Sequence, residues 1–297
     1  MNSIPVQQSK LNQLSVVVMS SANSHRDETT KFRFGLRLAA IIDYFLKLRE
    51  TQQIDMFLLT EGRICRSADE SEMLDALDIG YKIAKALGMW FTIMPNQNMN
   101  KMAFSKIVIY DPTRLFLLST RNYYPGDSRV LPSGAQFSQC VSGLKFHRIL
   151  PDTYDSAGQC VIDPKLIFNV GFVNAPMNKN GRDDFFKMMV QEFAGSDQPW
   201  IFPGDYNLFT EDSAEQNQLL DTHFYNMAPD IGTTFIGYPH DVDKDGVPFQ
   251  SSLDRVYINY NFADQFGRDI EVQTENVTHQ GVRISDHFLV TININFE

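Results

Sequence analysis

The amino-acid sequence predicts a layered α/β protein, and two observations support this fold class. Apolar runs rich in β-branched residues alternate with stretches in which apolar residues recur at helical spacing. The predicted strands are flanked by two sets of helices, which is typical of sheets covered by helical layers.

With 43% hydrophobic and 21% charged residues, the chain has the composition of a globular protein. Its 297 residues show no internal repeat or low-complexity linker, so we expect one domain over residues 1–297, with residues 1–12 as a loose N-terminal tail.

The first third of the chain contains clearly patterned elements. Residues 14–20 form a continuous apolar run with three valines and predict a buried strand. Apolar side chains at helical spacing then predict an amphipathic helix over residues 32–49. Similar patterns predict a second helix at residues 71–87 and further strands at residues 55–60, 89–94, 106–110 and 115–119. The Asp111-Pro112 turn predicts that the last two of these strands form a hairpin.

The second half returns to strands and helices after a loop-rich middle. Residues 123–158 are rich in glycine and proline, with one strand expected at residues 143–150. The pattern then predicts a helix at residues 183–193 and strands at residues 166–173, 200–202, 253–259 and 288–296. The hairpins imply that the sheets are mixed or antiparallel.

The charge balance restricts the classes of partner. The formal net charge is −10 and the sequence pI is about 5.1. Proteins that coat nucleic acid nonspecifically neutralise its phosphates with basic residues, so this composition argues against that class. A phosphate-ester substrate remains compatible with an acidic protein, because a bound divalent cation can supply the positive charge.

The sequence also carries an expectation about location. Its N-terminus lacks a charged segment followed by an apolar run, and no apolar run is long enough for a membrane span. Cys65, Cys140 and Cys160 show no C-x-x-C spacing, which favours reduced thiols. We therefore expect a cytoplasmic, intracellular protein.

Three short motifs place acidic or amide groups at predicted strand boundaries. They are GDYN at residues 204–207, LDRV at residues 253–256 and SDH at residues 285–287. Loops that collect at strand ends are common positions for ligand binding and catalysis. Each motif alone has a structural explanation as a turn, a cap or an ion pair, so the indication comes from their joint occurrence in this order.

Together the motifs resemble those of the endonuclease/exonuclease/phosphatase superfamily, whose members carry G-D-x-N, L-D-x-[IVF] and S-D-H segments. The run TTFIGY at residues 233–238 is similar to the family's T-F-x-G-[FY], and LTE at residues 59–61 is similar to its L-Q-E. The resemblance spans residues 14–294. It implies a DNase I-like fold, in which two mixed sheets pack face to face and helices flank them in four α/β/β/α layers.

The resemblance also implies a metal site. Its ligands would be Glu61 after the second strand, Asp286 of the SDH motif and Asn23 after the first strand. Asn23 sits about one residue later than the family spacing. Oxygen ligands of this kind suit Mg²⁺ or Mn²⁺.

The remaining motif residues take catalytic roles by the same resemblance. Asp205 would orient or deprotonate the attacking water, and Asn207 would place the water or the phosphate. His287 would donate a hydrogen bond to a nonbridging phosphate oxygen, and Asp254 would hold its ring and favour its charged form. Arg255 would bind phosphate or pair with a neighbouring carboxylate.

The sequence departs from the family in the central strand. Many members carry a catalytic His there, in a segment like V-N-T-H-L, but residues 171–177 read GFVNAPM and contain no His. Abasic-site endonucleases, which also lack it, use a nearby Tyr, whereas this chain has Phe172 at about that position. Asn174 is the polar side chain left in this stretch, which makes it the candidate phosphate contact.

The function is open between three alternatives, two of which differ in substrate class. A nucleic-acid phosphodiester is favoured, and its groove would need a basic or aromatic rim. Rim candidates lie in the loop-rich middle: Lys101, Lys106, Arg121, Tyr123, Tyr124, Arg129, Lys145, His147 and Arg148. The alternatives are an inositol-phosphate or phospholipid phosphoesterase and a non-catalytic binding scaffold. The polar loop that begins at Asp241 partly matches a calcium loop but lacks a Glu at its twelfth position.

Overall fold

The computed structural model describes most of the chain, including every strand that carries a predicted catalytic residue. The described residues are 12–20, 30–60, 71–94, 106–125, 140–151, 153–156, 158–208, 213–229, 231–236, 250–279, 282–285 and 287–296. The predicted tail lies almost wholly outside them, and the single domain over residues 1–297 stays a prediction. No helix among the described residues combines the length and apolar character that crossing a membrane requires.

The elements follow the alternation that the sequence predicts. Within the described residues, the strands are β1 (Gln13–Ser20), β2 (Met56–Thr60), β3 (Trp90–Met94), β4 (Lys106–Tyr110), β5 (Leu115–Tyr123), β6 (Val141–Arg148), β7 (Ile167–Asn174), β8 (Trp200–Asp205), β9 (Tyr225–Asn226), β10 (Phe235–Ile236), β11 (Gln250–Ser251), β12 (Asp254–Ile258), β13 (Ile270–Glu275), β14 (Thr278–His279), β15 (Val282–Arg283) and β16 (Leu289–Asn295). The α-helices are α1 (Thr30–Thr51), α2 (Ser71–Leu87), α3 (Lys179–Met189), α4 (Ala214–His223) and α5 (Tyr260–Phe266).

The longer strands form two mixed sheets. Within the described residues each sheet has six strands, in the orders β13-β16-β1-β2-β4-β3 and β5-β6-β7-β8-β12-β9. We call them the first and the second sheet. The pairs β1–β2 and β7–β8 are parallel, and all other neighbours in the two sheets are antiparallel.

The two sheets pack face to face under two helical layers. Side chains alternate between the faces of a strand. On the first sheet Leu58 therefore faces the second sheet, while Phe57 faces α1 and stacks on Phe45 with ring centroids 4.3 Å apart. On the second sheet Ile201 lies in the central core, and Phe202 packs under α3 and α4. The predicted four-layer α/β/β/α arrangement is confirmed.

One predicted pairing is wrong, because residues 106–110 and 115–119 do not form a hairpin. β4 pairs with β2 and β3 in the first sheet, whereas β5 pairs with β6 in the second. The turn between them is real, since the Leu115 N–H donates to the Asp111 carbonyl at 2.9 Å. It carries the chain from one sheet to the other. A turn motif specifies a local reversal but does not select the partner of the strand that follows.

The chain elements α4, α5 and β13 were not predicted from the sequence, and the helix predicted at residues 183–193 begins earlier. α3 starts at Lys179 because the Asn178 Oδ1 accepts a hydrogen bond of 2.7 Å from the Gly181 N–H and caps the helix. It ends in a π-helical turn at Val190–Ala194.

Asp55 ties the two sheets together at the end where β2 begins. Its carboxylate, 1% exposed, accepts from the Ser15 N–H at 2.8 Å and lies 2.7 Å from Arg114 Nε. Ser15 belongs to the first sheet, and Arg114 directly precedes β5 of the second. Burial raises the pKa of Asp55, and the attraction of Arg114 offsets part of that rise. The charges of Arg114 and Asp55 also act on the pKa of the buried Arg148, the first lowering it and the second raising it.

We expect Asp55→Ala to lower the free energy of unfolding by about 3–5 kcal/mol, because it leaves two arginines close together without the carboxylate between them. Urea unfolding followed by circular dichroism measures this. The matched control is Asp78→Ala, which removes a carboxylate from an exposed pair with Lys82 and should cost at most about 1 kcal/mol. Equal losses in the two variants would contradict the assignment.

Candidate active site

Asn174, Asp205 and Asp254 form a row across three neighbouring strands of the second sheet. Asn174 pairs with Asp205 in the parallel β7–β8 ladder, and Asp254 pairs with Asp205 in the antiparallel β8–β12 ladder. Cross-strand partners point to the same face, with Cβ atoms about 5 Å apart. Phe172, two residues before Asn174 on β7, lies in the central core, so the row faces the first sheet. Its members are 1%, 3% and 2% exposed, respectively.

Gly204 explains why the row can form. Its φ is +143°, a region that side chains rarely adopt, and a Cβ at this position would lie 2.1 Å from the Val173 carbonyl oxygen. β7 and β8 can therefore come this close only with glycine there. The first residue of the GDYN motif is thus required by the backbone approach that sets Asp205 beside Asn174.

Asn207 holds the Asp205 carboxylate from both sides. Its backbone N–H donates to Asp205 Oδ1 at 2.8 Å, and its side-chain Nδ2 lies 3.2 Å from Asp205 Oδ2. The same Nδ2 donates to the Ala175 carbonyl at 2.8 Å, just beyond β7. Asn207 adopts a left-handed backbone with φ 50°, a conformation that asparagine tolerates better than most residues. The fourth residue of the motif thereby orients the second, and its Oδ1 takes no part in these bonds.

A hydrogen bond between Asp254 and His287 joins the two sheets at this end. His287 Nδ1 lies 3.0 Å from Asp254 Oδ2, and both side chains are buried. A carboxylate can only accept, so Nδ1 carries the proton and Nε2 is the ring nitrogen on the side away from Asp254. Asp254 opens β12 of the second sheet, whereas His287 lies two residues before β16, the last strand of the first sheet. The Phe235 ring packs edge-on against the imidazole at 5.1 Å.

Thr234 supports this pair, and sequence reasoning assigned it no role. Its Oγ1 accepts hydrogen bonds from the backbone N–H groups of Leu253 at 2.8 Å and Asp254 at 3.0 Å. Its carbonyl accepts from the Phe288 N–H at 2.6 Å. One fully buried residue therefore positions the segments of both Asp254 and His287. The signal for it was the TTFIGY run, in which Thr234 is the threonine before Phe235.

The three predicted metal ligands, Glu61, Asp286 and Asn23, lie outside the described residues. The strands that lead to them do meet at one edge of the first sheet. β1 and β2 end side by side, with Ser20 paired to Thr60, and the start of β16 lies next to the end of β1. Among the described residues alone, no cluster of three or more His, Cys, Asp or Glu side chains could hold a metal. The oxygen groups of Asp205 and Asn207 are nevertheless of the type that Mg²⁺ accepts.

Arg255 lies on the other face of β12 from the row. Its neighbour Asp254 points toward the first sheet, so Arg255 points toward the outer layer. Its Nη1 donates to Ser252 Oγ at 2.6 Å and to the Asp254 carbonyl at 3.0 Å. The structure does not bring it into the row, and its role in substrate binding stays a prediction.

Three of the rim candidates are not on a rim. Lys106, His147 and Arg148 are 2%, 0% and 5% exposed, so their prediction as part of an exposed rim is wrong. Arg121 is exposed and stacks over the Tyr123 ring at 4.9 Å. Lys101, Arg129 and most of the loop that begins at Asp241 lie outside the described residues.

Comparisons with known proteins identify the fold. No family model and no curated protein sequence matches the chain. Among solved structures, it is similar to an endonuclease/exonuclease/phosphatase family protein from Bacteroides thetaiotaomicron, with a TM-score of 0.62, 14% identity, and coverage of 96% of this chain and 98% of that one.

Two further solved structures have the same arrangement. For TDP2 from D. rerio, in complex with a single-strand DNA product, the TM-score is 0.60 with 12% identity, covering 95% of this chain and 99% of that one. For a mannosyl-6-phosphatase from Bacteroides thetaiotaomicron the TM-score is 0.59 with 14% identity, covering 94% and 98%. The resemblance inferred from the motifs is confirmed at the level of the fold.

We expect Gly204→Ala to lower the free energy of unfolding by at least about 2 kcal/mol, because the new Cβ meets the Val173 carbonyl and φ is unfavourable. Urea unfolding measures the loss. Gly195→Ala is the matched control, since its φ is −94° and a Cβ there meets nothing within 4 Å. The control should stay within about 0.5 kcal/mol of the parent protein. A Gly204 variant as stable as the control would show that the close approach is not required.

Proposed function

We propose that this chain, which has the DNase I-like fold of the endonuclease/exonuclease/phosphatase superfamily, is a divalent-metal-dependent phosphoesterase that hydrolyses phosphodiesters. The observation that carries the proposal is the row of Asn174, Asp205 and Asp254, with His287 hydrogen-bonded to its end. The row puts an acceptor for a water proton, amide groups and an oriented imidazole at one edge of a two-sheet core. Together these groups can activate water and stabilise charge on a phosphate, the two tasks of phosphoester hydrolysis.

Asp205 is the group that orients and deprotonates the attacking water. Asn207 already donates to both carboxylate oxygens, which holds the carboxylate in one orientation. A carboxylate has about four lone-pair sites in all and can also accept from water. Asn207 Oδ1 lies on the same rigid turn and can accept from the same water or bind a cation.

His287 and Asn174 contact the phosphate. Because Asp254 takes Nδ1, His287 presents Nε2 to the substrate, and a protonated ring donates from that atom to a nonbridging oxygen. Asp254 favours the charged ring by lying next to it. Asn174 donates from its amide, at the other end of the row.

A divalent cation supplies positive charge on the phosphate oxygens and on the leaving oxygen when it is bound. Glu61, Asp286 and Asn23 would hold Mg²⁺ or Mn²⁺, because the strands leading to them meet at the edge of the first sheet beside the row. Their donors are oxygens, which fits these ions.

Nucleic acid is the favoured substrate. TDP2, which has the same fold, is known in complex with a single-strand DNA product. The fold also occurs in a mannosyl-6-phosphatase, so a phosphomonoester of a small polar molecule is the second candidate. The net charge of −10 favours a local contact at the site over extended coating of a polyanion.

The activity is tested on single-stranded, duplex and abasic DNA, RNA, inositol phosphates, sugar phosphates and sphingomyelin, each with Mg²⁺, with Mn²⁺ and with EDTA. We expect hydrolysis of at least one substrate with metal and none with EDTA. Asp205→Ala and His287→Ala should each lower kcat by at least about 10²-fold. The matched control is Asp264→Ala on the exposed side of α5, which should keep the parent rate. Hydrolysis by both site variants at that rate would refute the assignment.

The non-catalytic scaffold alternative makes a different prediction for metal binding. An enzyme of the proposed kind should bind Mn²⁺ in a calorimetric titration, and Glu61→Gln should weaken that binding at least about tenfold because it removes a charged ligand. Glu50→Gln, on the exposed end of α1, is the control and should bind like the parent protein. A scaffold need bind no metal, and binding that does not depend on Glu61 would contradict the ligand assignment.

A further inference from the structure

Lys106 occupies a position where the sequence alone gives no reason for a buried charge. It is the first residue of β4, and Val108 and Tyr110 of that strand lie in the core between the sheets, so Lys106 faces the same space. Leu59 pairs with Ile107, which puts Lys106 at the end of β2 where the candidate site lies.

The Lys106 side chain extends from β4 of the first sheet to the backbone of the second sheet. Lys106 Nζ donates to the Cys140 carbonyl at 2.6 Å and to the Phe172 carbonyl at 2.8 Å. Phe172 precedes Asn174 by two residues on β7. With a rise of about 3.3 Å per strand residue, Asn174 lies about 7 Å beyond Phe172 along β7, so the ammonium is within about 10 Å of Asn174, at one end of the row.

The charge of Lys106 has no acidic counterpart among the described residues, since both of its acceptors are neutral carbonyls. Burial lowers its pKa to about 8, and the nearby Cys140 side chain acts in the opposite direction. The group is therefore still largely charged at neutral pH. A buried ammonium is costly unless an anion or a dense set of acceptors balances it.

Lys106 is buried to the same degree as the groups of the candidate site. It is 2% exposed, and Asn174 and Asp254 are 1% and 2% exposed. The end of β7 and the three residues after it, 171–177, read GFVNAPM and contain no cationic side chain. The Lys106 ammonium brings a positive charge to this stretch through its hydrogen bond to the Phe172 carbonyl.

We propose that Lys106 is a positioning residue that holds the Asn174 end of β7 against the first sheet and places a fixed positive charge beside the substrate phosphate. The inference rests on the proposed phosphoesterase function and deepens it. It assigns part of the phosphate-binding charge to β4, a strand on which the sequence motifs place no site residue.

The test compares Lys106→Met, Lys106→Gln and Lys106→Arg with the parent protein. Inorganic phosphate is the probe, both as an inhibitor of turnover with Mg²⁺ and as a ligand in calorimetry with EDTA. Removing the charge with Met or Gln should weaken phosphate binding at least about tenfold and lower kcat/KM at least about tenfold, less than the about 10²- to 10³-fold that loss of a directly contacting donor costs. Arg keeps the charge and should recover most of the phosphate affinity. Lys187→Met, on the exposed face of α3, is the matched control and should resemble the parent protein.

Phosphate affinity separates electrostatic placement from a purely structural role. A structural tie alone would lower the urea midpoint of Met and Gln variants while leaving the phosphate affinity of the folded protein unchanged. Folded Met and Gln variants with phosphate affinity and kcat/KM within about twofold of the parent protein would overturn the proposal. Failure of all three variants to fold, Arg included, would assign Lys106 to stability alone and overturn it as well.

The two proposals can fail separately. Phosphate binding in EDTA needs no turnover, so a protein that hydrolyses no phosphoester but binds phosphate through Lys106 would refute the enzyme and keep the anion contact. A protein that hydrolyses a phosphoester equally well with and without the Lys106 charge would refute the contact and keep the enzyme.

Discussion

The inner faces of the two sheets are apolar along their length because each sheet buries that face against the other. Polar groups on these faces can occur at acceptable cost only at the strand ends, where partners and solvent are within reach. At one end of the core, Asp55 joins the beginning of β2 to Arg114 of the crossover into the second sheet. At the other end lie Asn174, Asp205 and Asp254. The candidate site thus lies at the strand ends because the space between the sheets is filled by apolar side chains.

The geometry of the site depends on contacts that cross between the sheets. Asp254 belongs to the second sheet, and His287 leads into the first, so their 3.0 Å hydrogen bond exists only while the sheets keep their relative position. Thr234 and Lys106 make further links of the same kind, from a loop and from β4. Substitutions far from the row that shift one sheet against the other would therefore act on the orientation of His287 before they unfold the core.

The sequence predicted the parts of the structure that depend on local geometry. The GDYN motif could be identified because Gly204 and Asn207 need unusual backbone angles, which restrict residue type within four positions. The predicted hairpin was wrong because the partner of β5 is chosen by the second sheet, far along the chain. Lys106 was expected on a rim, with the other basic residues near the loop-rich middle, because lysine usually keeps its ammonium in water. Its burial depends on two carbonyls of the second sheet, which no local pattern of β4 records.

The charge distribution determines which of the two sheets can attract a phosphate to the candidate site. Asp205 and Asp254 are neighbours in the row, in a protein of net charge −10, so an approaching phosphate meets negative charge on the second sheet. Attraction has to come from the first sheet and from His287. Lys106 lies on that side, and the strand ends leading to Glu61 and Asp286 lie there as well. Under the proposed function, the second sheet holds the groups that act on water, and the first sheet holds the cations that bind the phosphate. The boundary between the sheets is then where the substrate phosphorus would lie.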